Sequence, residues 1–305
     1  MKKKEQMEYS DNGYYNAPNF PNGAMQPNIT MSPNMPIQQG MPVVNSNPIP
    51  PGVPSGVQIG YVSNIGARSS QQDNWGISDI NNTHLVNERG VLAVVADGMG
   101  GLSNGAEVSG IVVAMFKELF SRLTLERDDA QELIYMVFEA QKVAKEYILS
   151  IGGEMSGSTV VAVIINDNKL HFVSVGDSRI YLLRGGKLLM LNRDHVYATE
   201  LDIKAAMGDI SIQDSIMDSQ RGSLTNYIGM DELKEVDYNR LPISLAQGDK
   251  ILLMSDGVFG TLSEAEIIAA VDRYNPTVGA SNLEAAVQSH NKPGQDNFTA
   301  VIVSV

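Results

Sequence analysis

Four aspartates in this chain stand where apolar runs end. Residues 91–96 are all apolar and lead straight into Asp97, which is followed by Gly98, Met99, Gly100 and Gly101. The run "ILLMSDG" ends on Asp256 and Gly257, "HFVSVGDSR" ends on Gly176 and Asp177, and Asp296 stands just ahead of "NFTAVIV". A single Asp-Gly pair reads as a turn, because both residues favour turn geometry. Four acids at the ends of core strands carry more, since strand ends are rigid and let side chains converge. Converging carboxylates repel unless a cation neutralises them. Hard oxygen ligands without thiolate or imidazole select Mg²⁺ or Mn²⁺. A pair of such ions activates water and clamps a phosphoryl oxygen. On this reading Asp97 ends its strand in order to deliver a ligand, and the glycines beside it let carbonyls and waters approach.

The elements that must hold these acids follow from periodicity. "VQIGYVS", "NWGISDI", "GVLAVVAD", "STVVAVIIN", "KLHFVSVG", "SRIYLLR", "KLLMLN", "LKEVDYNRLP", "DKILLMSDG" and "NFTAVIVSV" read as strands. Asp167 with Asn168 and Gly185 with Gly186 mark hairpin turns. Residues 104–125 have helical apolar spacing through Val108, Ile111, Val112, Met115, Phe116, Leu119 and Phe120. Asp128 or Asp129 caps a second long helix that ends at Gly152 and Gly153. Shorter helices are expected over 198–207 and within 277–290, and Ser263 with Glu266 forms a capping box. Paired strands with helices in separate blocks predict an α+β layered fold with antiparallel sheets.

Residues 1–56 differ in kind. They hold ten of the thirteen prolines, with many Asn, Met and Gln. Such a segment lacks the apolar surface to offset its ordering entropy and reads as a disordered tail, with polyproline II character over 48–54. The folded domain is expected over 57–305. A net charge of −13 argues against a broad nucleic-acid surface. The absence of cysteine excludes disulfides, thiolate sites and cysteine nucleophiles. No secretory signal and no membrane-length apolar run is visible, so the expectation is a soluble, cytoplasmic monomer with no nucleic-acid or membrane partner.

The ordered set "RSSQQDNWG", "ADGMGG", "GSTVVAVI", "VGDSRIYLL", "SDG" and "GQDNFTAVIV" resembles the metal-dependent protein phosphatases, the type 2C family in its bacterial PPM form. The resemblance spans the whole of 57–305. It implies a four-layer αββα sandwich of two antiparallel sheets flanked by helices. It also implies hydrolysis of phosphoserine and phosphothreonine by a water bridging two Mg²⁺ or Mn²⁺ ions, without a phosphoenzyme. Carried over residue by residue, Asp97 resembles the acid that bridges both metals and Gly98 a backbone-carbonyl ligand. Asp256 and Asp296 resemble the remaining ligands, and Asp177 a ligand of a third, weaker metal shared with Asp256. Arg68 resembles the phosphate-gripping arginine, and Asp73 an acid acting through waters. Many relatives have Glu where this chain has Gln72, and animal members have His where it has Met99. Residues 193–230 resemble the family's variable flap and "LTNYIG" the segment after it. The implied partners are phosphorylated proteins of a bacterial serine/threonine kinase.

Other residues read more simply. His84, His171, His195 and His290 lack metal-ligand spacing and read as structural or surface residues. Trp75 reads as core, and Ser178 and Arg179 as supports of the turn that presents Asp177. Two competing functions remain at this point: a phosphoprotein-binding pseudophosphatase, against which the retained acids argue, and a partner-switching phosphatase acting on an anti-sigma-factor antagonist.

Overall fold

The computed structural model describes residues 57–100, 104–122, 128–153 and 155–305. The expected tail over 1–56, Gly101 and the end of the first long helix lie outside them. Two antiparallel sheets form the centre. The first runs in the order β1 (Gln58–Asn64), β12 (Phe298–Ser304), β11 (Lys250–Met254), β7 (Arg179–Arg184) and β8 (Lys187–Met190). The second runs β10 (Ile243–Ser244), β6 (Lys169–Val175), β5 (Val160–Asn166), β3 (Val91–Gly100) and β2 (Asp73–Ile77). β4 (Ser156–Ser158) adds to the end of β3, and β9 (Asp237–Tyr238) to β6.

Alternation along the strands builds three apolar layers. In β3, Leu92, Val94 and Ala96 join the buried side chains of α2 (Asn104–Ser121) and α3 (Asp129–Ser150), among them Phe116, Phe120, Leu133 and Met136. Ala93 and Val95 point the other way, into a seam shared with Ile180, Leu182, Ile251, Leu253, Val301 and Val303 of the facing sheet. The far face of that sheet, through Leu252, Met254, Ala300 and Ile302, is covered by α7 (Glu264–Val271) and α8 (Pro276–Ser289). The αββα sandwich is therefore as expected. Both sheets are covered on both faces, which is why their strands read as unbroken apolar runs.

Local signals hold in detail. Asp128 caps α3 by accepting from Gln131 N–H, and Ser263 and Glu266 form a reciprocal capping box on α7. Asp167, Asn168, Gly185 and Gly186 all have positive φ, as a two-residue hairpin turn between twisted strands requires. Three readings need correction. The strand expected over 233–242 shrinks to the two residues of β9, because the side chain of Asn239 then replaces the backbone in the ladder. Its Oδ1 accepts from Phe172 N–H at 2.6 Å and its Nδ2 donates to Leu170 O at 2.9 Å. Asp97 does not end its strand, because β3 runs on through Gly100 and pairs there with β4, and Asp256 lies past its strand at the start of a one-turn helix, α6 (Asp256–Phe259). Two short helices, α1 (Thr83–Arg89) and α5 (Ile212–Met217), were not expected; α4 (Tyr197–Met207) matches its prediction within one residue.

Candidate active site

Antiparallel register gathers the acids at one end of the sandwich. Asp73 at the start of β2 lies directly opposite Asp97 in β3. Both continue the rows that face the seam: Ala93 and Val95 precede Asp97, while Trp75 and Ile77 follow Asp73. In the other sheet, Met254 at the end of β11 faces Arg179 and Ala300. Asp256, Asp177 and Asp296 therefore emerge beside one another, just past those strand ends.

Electrostatics show that the five carboxylates form one group. The Asp97 carboxyl is pushed well above the usual range, first by burial and then by Asp73, Asp256, Asp177 and Asp296. Burial, opposed by hydrogen bonds from Ser255 and Thr299 and reinforced by Asp256 and Asp296, moves Asp73 up to about 7. Asp177 also rises to about 7, through burial, Asp256 and Asp194. Asp256 is raised by burial and by Asp296, with a hydrogen-bond contact to Asp97 acting the other way.

These groups fit a hard divalent cation. The donors are all oxygen, and Asp73 Oδ1 is buried with no hydrogen-bond partner. Among the described residues no three acidic or histidine side chains already surround a single point.

A stability consequence follows. Asp73 and Asp177 bind protons more tightly folded, near 7, than unfolded, near 3.8. Between those values the native state holds more protons, so its stability falls as pH rises. His195, lowered to about 4 chiefly by burial, works in the opposite sense between pH 4 and 6.5. Several acids outweigh one imidazole, so in protein stripped of divalent cations the melting temperature should be lower at pH 7.5 than at pH 5.5. Scanning calorimetry in chelator at the two pH values checks this, and a higher Tm at pH 7.5 would mean the acids are not mutually buried.

The glycines after Asp97 and Asp256 have a reason the sequence did not show. A Cβ on Gly98 would stand 2.2 Å from the Gly105 carbonyl oxygen of α2, and one on Gly257 would stand 2.0 Å from Asn297 O. Both are glycine because another backbone passes in contact. Neither is needed here for a turn.

Arg68 lies in the loop before β2 and its Nη2 donates to Asp296 Oδ2 at 2.6 Å. Both side chains are substantially exposed, at 57% and 40%. Two buried amides beside Asp296 hold that loop in place. Asn297 donates to Ile65 O and Ser70 O and accepts from Gln72 N–H. Gln295 Nε2 donates to Gly257 O, and Gln295 O accepts from Ala67 N–H. Neither amide was picked out from sequence, where the only signal was their position flanking Asp296. Ser255 was missed as well: its hydroxyl donates to Asp73 Oδ2 at 2.7 Å and accepts from Thr299 N–H.

The Asp177 turn is braced as expected. Arg179 forks onto Asp194 through Nε and Nη2, and Asn192 Nδ2 donates to Ser178 O. Buried His195 accepts the Gly176 N–H at Nδ1, which makes it structural. The other histidines also read correctly: His84 lies by Glu88, His290 bonds Glu266, and His171 is packed beside Asn239. Trp75 is only half buried, stacked on Tyr61 with ring centroids 3.8 Å apart.

The family model for protein phosphatase 2C matches residues 62–290, most of the chain, including Asp73, Asp97, Asp177 and Asp256 but not Asp296. The chain belongs to the protein phosphatase 2C family. It is similar to the serine/threonine phosphatase stp of Listeria innocua, with 27% identity over 240 residues, covering 77% of this chain and 90% of that protein. The structure of the Streptococcus agalactiae serine/threonine phosphatase superimposes with a TM-score of 0.68 at 25% identity, covering 82% of this chain and 99% of that one. The catalytic domain of the phosphatase PstP, solved in complex with two manganese ions, shares the fold with a TM-score of 0.64 at 23% identity, covering 82% and 98%. As a 2C-type phosphatase, this protein is a metal-dependent serine/threonine protein phosphatase. No helix among its described residues is long and apolar enough to cross a membrane.

Proposed function

We propose that the acids at the sandwich end hold Mn²⁺ or Mg²⁺ and that Arg68 presents the phosphate of a phosphoserine or phosphothreonine protein substrate to them. The observation that carries this reading is the register that sets Asp73 opposite Asp97 at the sandwich end where Asp177, Asp256 and Asp296 also emerge, a buried set of oxygen donors that raise one another's proton affinity and that bound cations would neutralise. Asp97, Asp256, Asp296 and the Gly98 carbonyl would hold two such ions. Asp177 and Asp256 are assigned to a weaker third ion. Two ions of the kind resolved in PstP fit this division. Bound divalent cations supply an activated water and neutralise charge on the transferred phosphoryl group.

The chain's own groups do the rest. The Arg68 guanidinium is planar, permanently charged and exposed, suited to a two-point grip on phosphate oxygens. Ser255 fixes the orientation of the Asp73 carboxyl from beneath, leaving its Oδ1 for water. Asn297 and Gln295 keep the Arg68 loop against Asp296. We further assign the catalytic unit to 57–305, with 193–230 as its flap, acting as a cytoplasmic monomer on substrates of a bacterial serine/threonine kinase.

Release of phosphate from a phosphothreonine peptide, with and without Mn²⁺, tests the reading directly. Two variants refine it. Arg68→Ala should raise KM by about tenfold, as expected for loss of a charge-assisted bidentate contact, while Mn²⁺ affinity changes far less. An unchanged KM would show that Arg68 serves only its pair with Asp296. Deleting residues 1–55 should leave kcat/KM on a small aryl phosphate and the melting temperature nearly intact, because that segment lacks a periodic apolar face. A large fall in both would place the segment in the core.

A further inference from the structure

We propose that Thr159 is a positioning residue of this reaction, its hydroxyl standing in for a backbone carbonyl to tie the Asp97 main chain to the Asp177 turn. The inference rests on the assignment of those two acids as ligands. Gly98 pairs with Ser158 and Val95 with Val161, so the register places Thr159 opposite Asp97. Opposed residues of a hydrogen-bonded antiparallel pair exchange two N–H···O=C bonds. Here one is normal: Thr159 N–H donates to Asp97 O at 2.8 Å. The return bond is not. Asp97 N–H donates at 3.0 Å to Thr159 Oγ1. The displaced Thr159 carbonyl accepts the Ser158 hydroxyl at 2.8 Å, and the strand is interrupted at this residue, between β4 and β5.

The same Oγ1 lies 2.8 Å from Ser178 Oγ, next in sequence to Asp177. Thr159 and Ser178 are 2% and 0% exposed, so water does not compete for these bonds. From the other side, a Cβ on Gly176 would come within 2.7 Å of Thr159 Cβ, which seats the turn against this one residue. One hydroxyl thus links two acids that lie 80 residues apart and belong to different elements. Valine has the same shape and no hydroxyl; serine keeps the hydroxyl and loses only a methyl.

The test measures Mn²⁺ binding by electron paramagnetic resonance of the free ion, and kcat and KM on a phosphopeptide, for Thr159→Val, Thr159→Ser and Asp97→Asn. Thr159→Val should weaken Mn²⁺ binding and lower kcat, each by about tenfold, as for a lost bond in a buried polar network. KM should stay within about twofold, since phosphate capture is not touched. Thr159→Ser should restore both. Wild-type Mn²⁺ binding and kcat in Thr159→Val overturn the proposal, and so does a serine variant as impaired as the valine one. If Asp97→Asn is impaired while Thr159→Val is not, the proposal alone fails. Unchanged Mn²⁺ binding in Asp97→Asn overturns the ligand assignment and the proposal with it. Should Thr159→Val not fold, Ser178→Ala decides: a fall of about threefold in Mn²⁺ affinity supports the link, and an unchanged affinity overturns it.

Discussion

Asp97→Asn should lower kcat by on the order of 10²-fold or more, from the weight that metal and electrostatic stabilisation carry in such reactions. Asparagine keeps the size and shape of the side chain, and the strand that carries it is held by bonds to the Asp97 backbone, so the fold should survive. A second outcome sharpens the test. The Asp97 charge is raised against by burial and by four neighbouring acids. Removing it relieves that repulsion, so without divalent cations the variant should melt no lower than the wild type. Loss of turnover with retained or increased stability is the pattern of a group placed for chemistry. A variant with near wild-type kcat would mean that Asp97 takes no part in the chemistry.

Chelation should abolish phosphatase activity, and Mn²⁺ or Mg²⁺ should return it. Among the described residues the site offers oxygen donors and one arginine, with no histidine or cysteine to act as nucleophile. On the proposed assignment, hydrolysis waits for the ions that activate water. The same ions bind the folded state and not the unfolded chain, so they should also raise the melting temperature. At a hundredfold excess over Kd that linkage is worth about 2.7 kcal/mol per site. The rise should be greater at pH 7.5 than at pH 5.5, where protons already occupy Asp73 and Asp177. Initial rates and thermal melts across an EDTA and Mn²⁺ titration measure both effects. Full turnover in thoroughly demetallated protein would overturn the two-ion assignment.

Much of this was legible because the pattern and the physics coincide. Buried strands covered on both faces leave uninterrupted apolar runs, and an acid at the end of such a run stands out against them. The positive-φ turns after β5 and β7 announced themselves in Asp167, Asn168, Gly185 and Gly186. What escaped was short or distant. Helix α1 has seven residues and a single side-chain cap from Asn82, too little for a periodic signal. Asn297 acts on carbonyls 227 and 232 residues away, and Thr159 on a strand 62 residues away. No local window contains such pairs. The reason for Gly98 was hidden in the same way, because the atom it makes room for belongs to α2.

On the roles proposed for Arg68 and Asp296, their contact makes the phosphate and cation sites thermodynamically reciprocal. One guanidinium and one carboxylate at 2.6 Å satisfy each other as long as neither has a better partner. A cation that draws off the carboxylate sets the guanidinium free, and a phosphate that engages the guanidinium sets the carboxylate free. Each ligand therefore removes a cost from the other, and the factor is the same in both directions. A solvent-exposed pair of this kind is worth at most about 1 kcal/mol, which caps the cooperativity near fivefold. Inorganic phosphate should accordingly tighten the binding of Mn²⁺ by a few-fold, and Arg68→Ala should erase that part of the coupling.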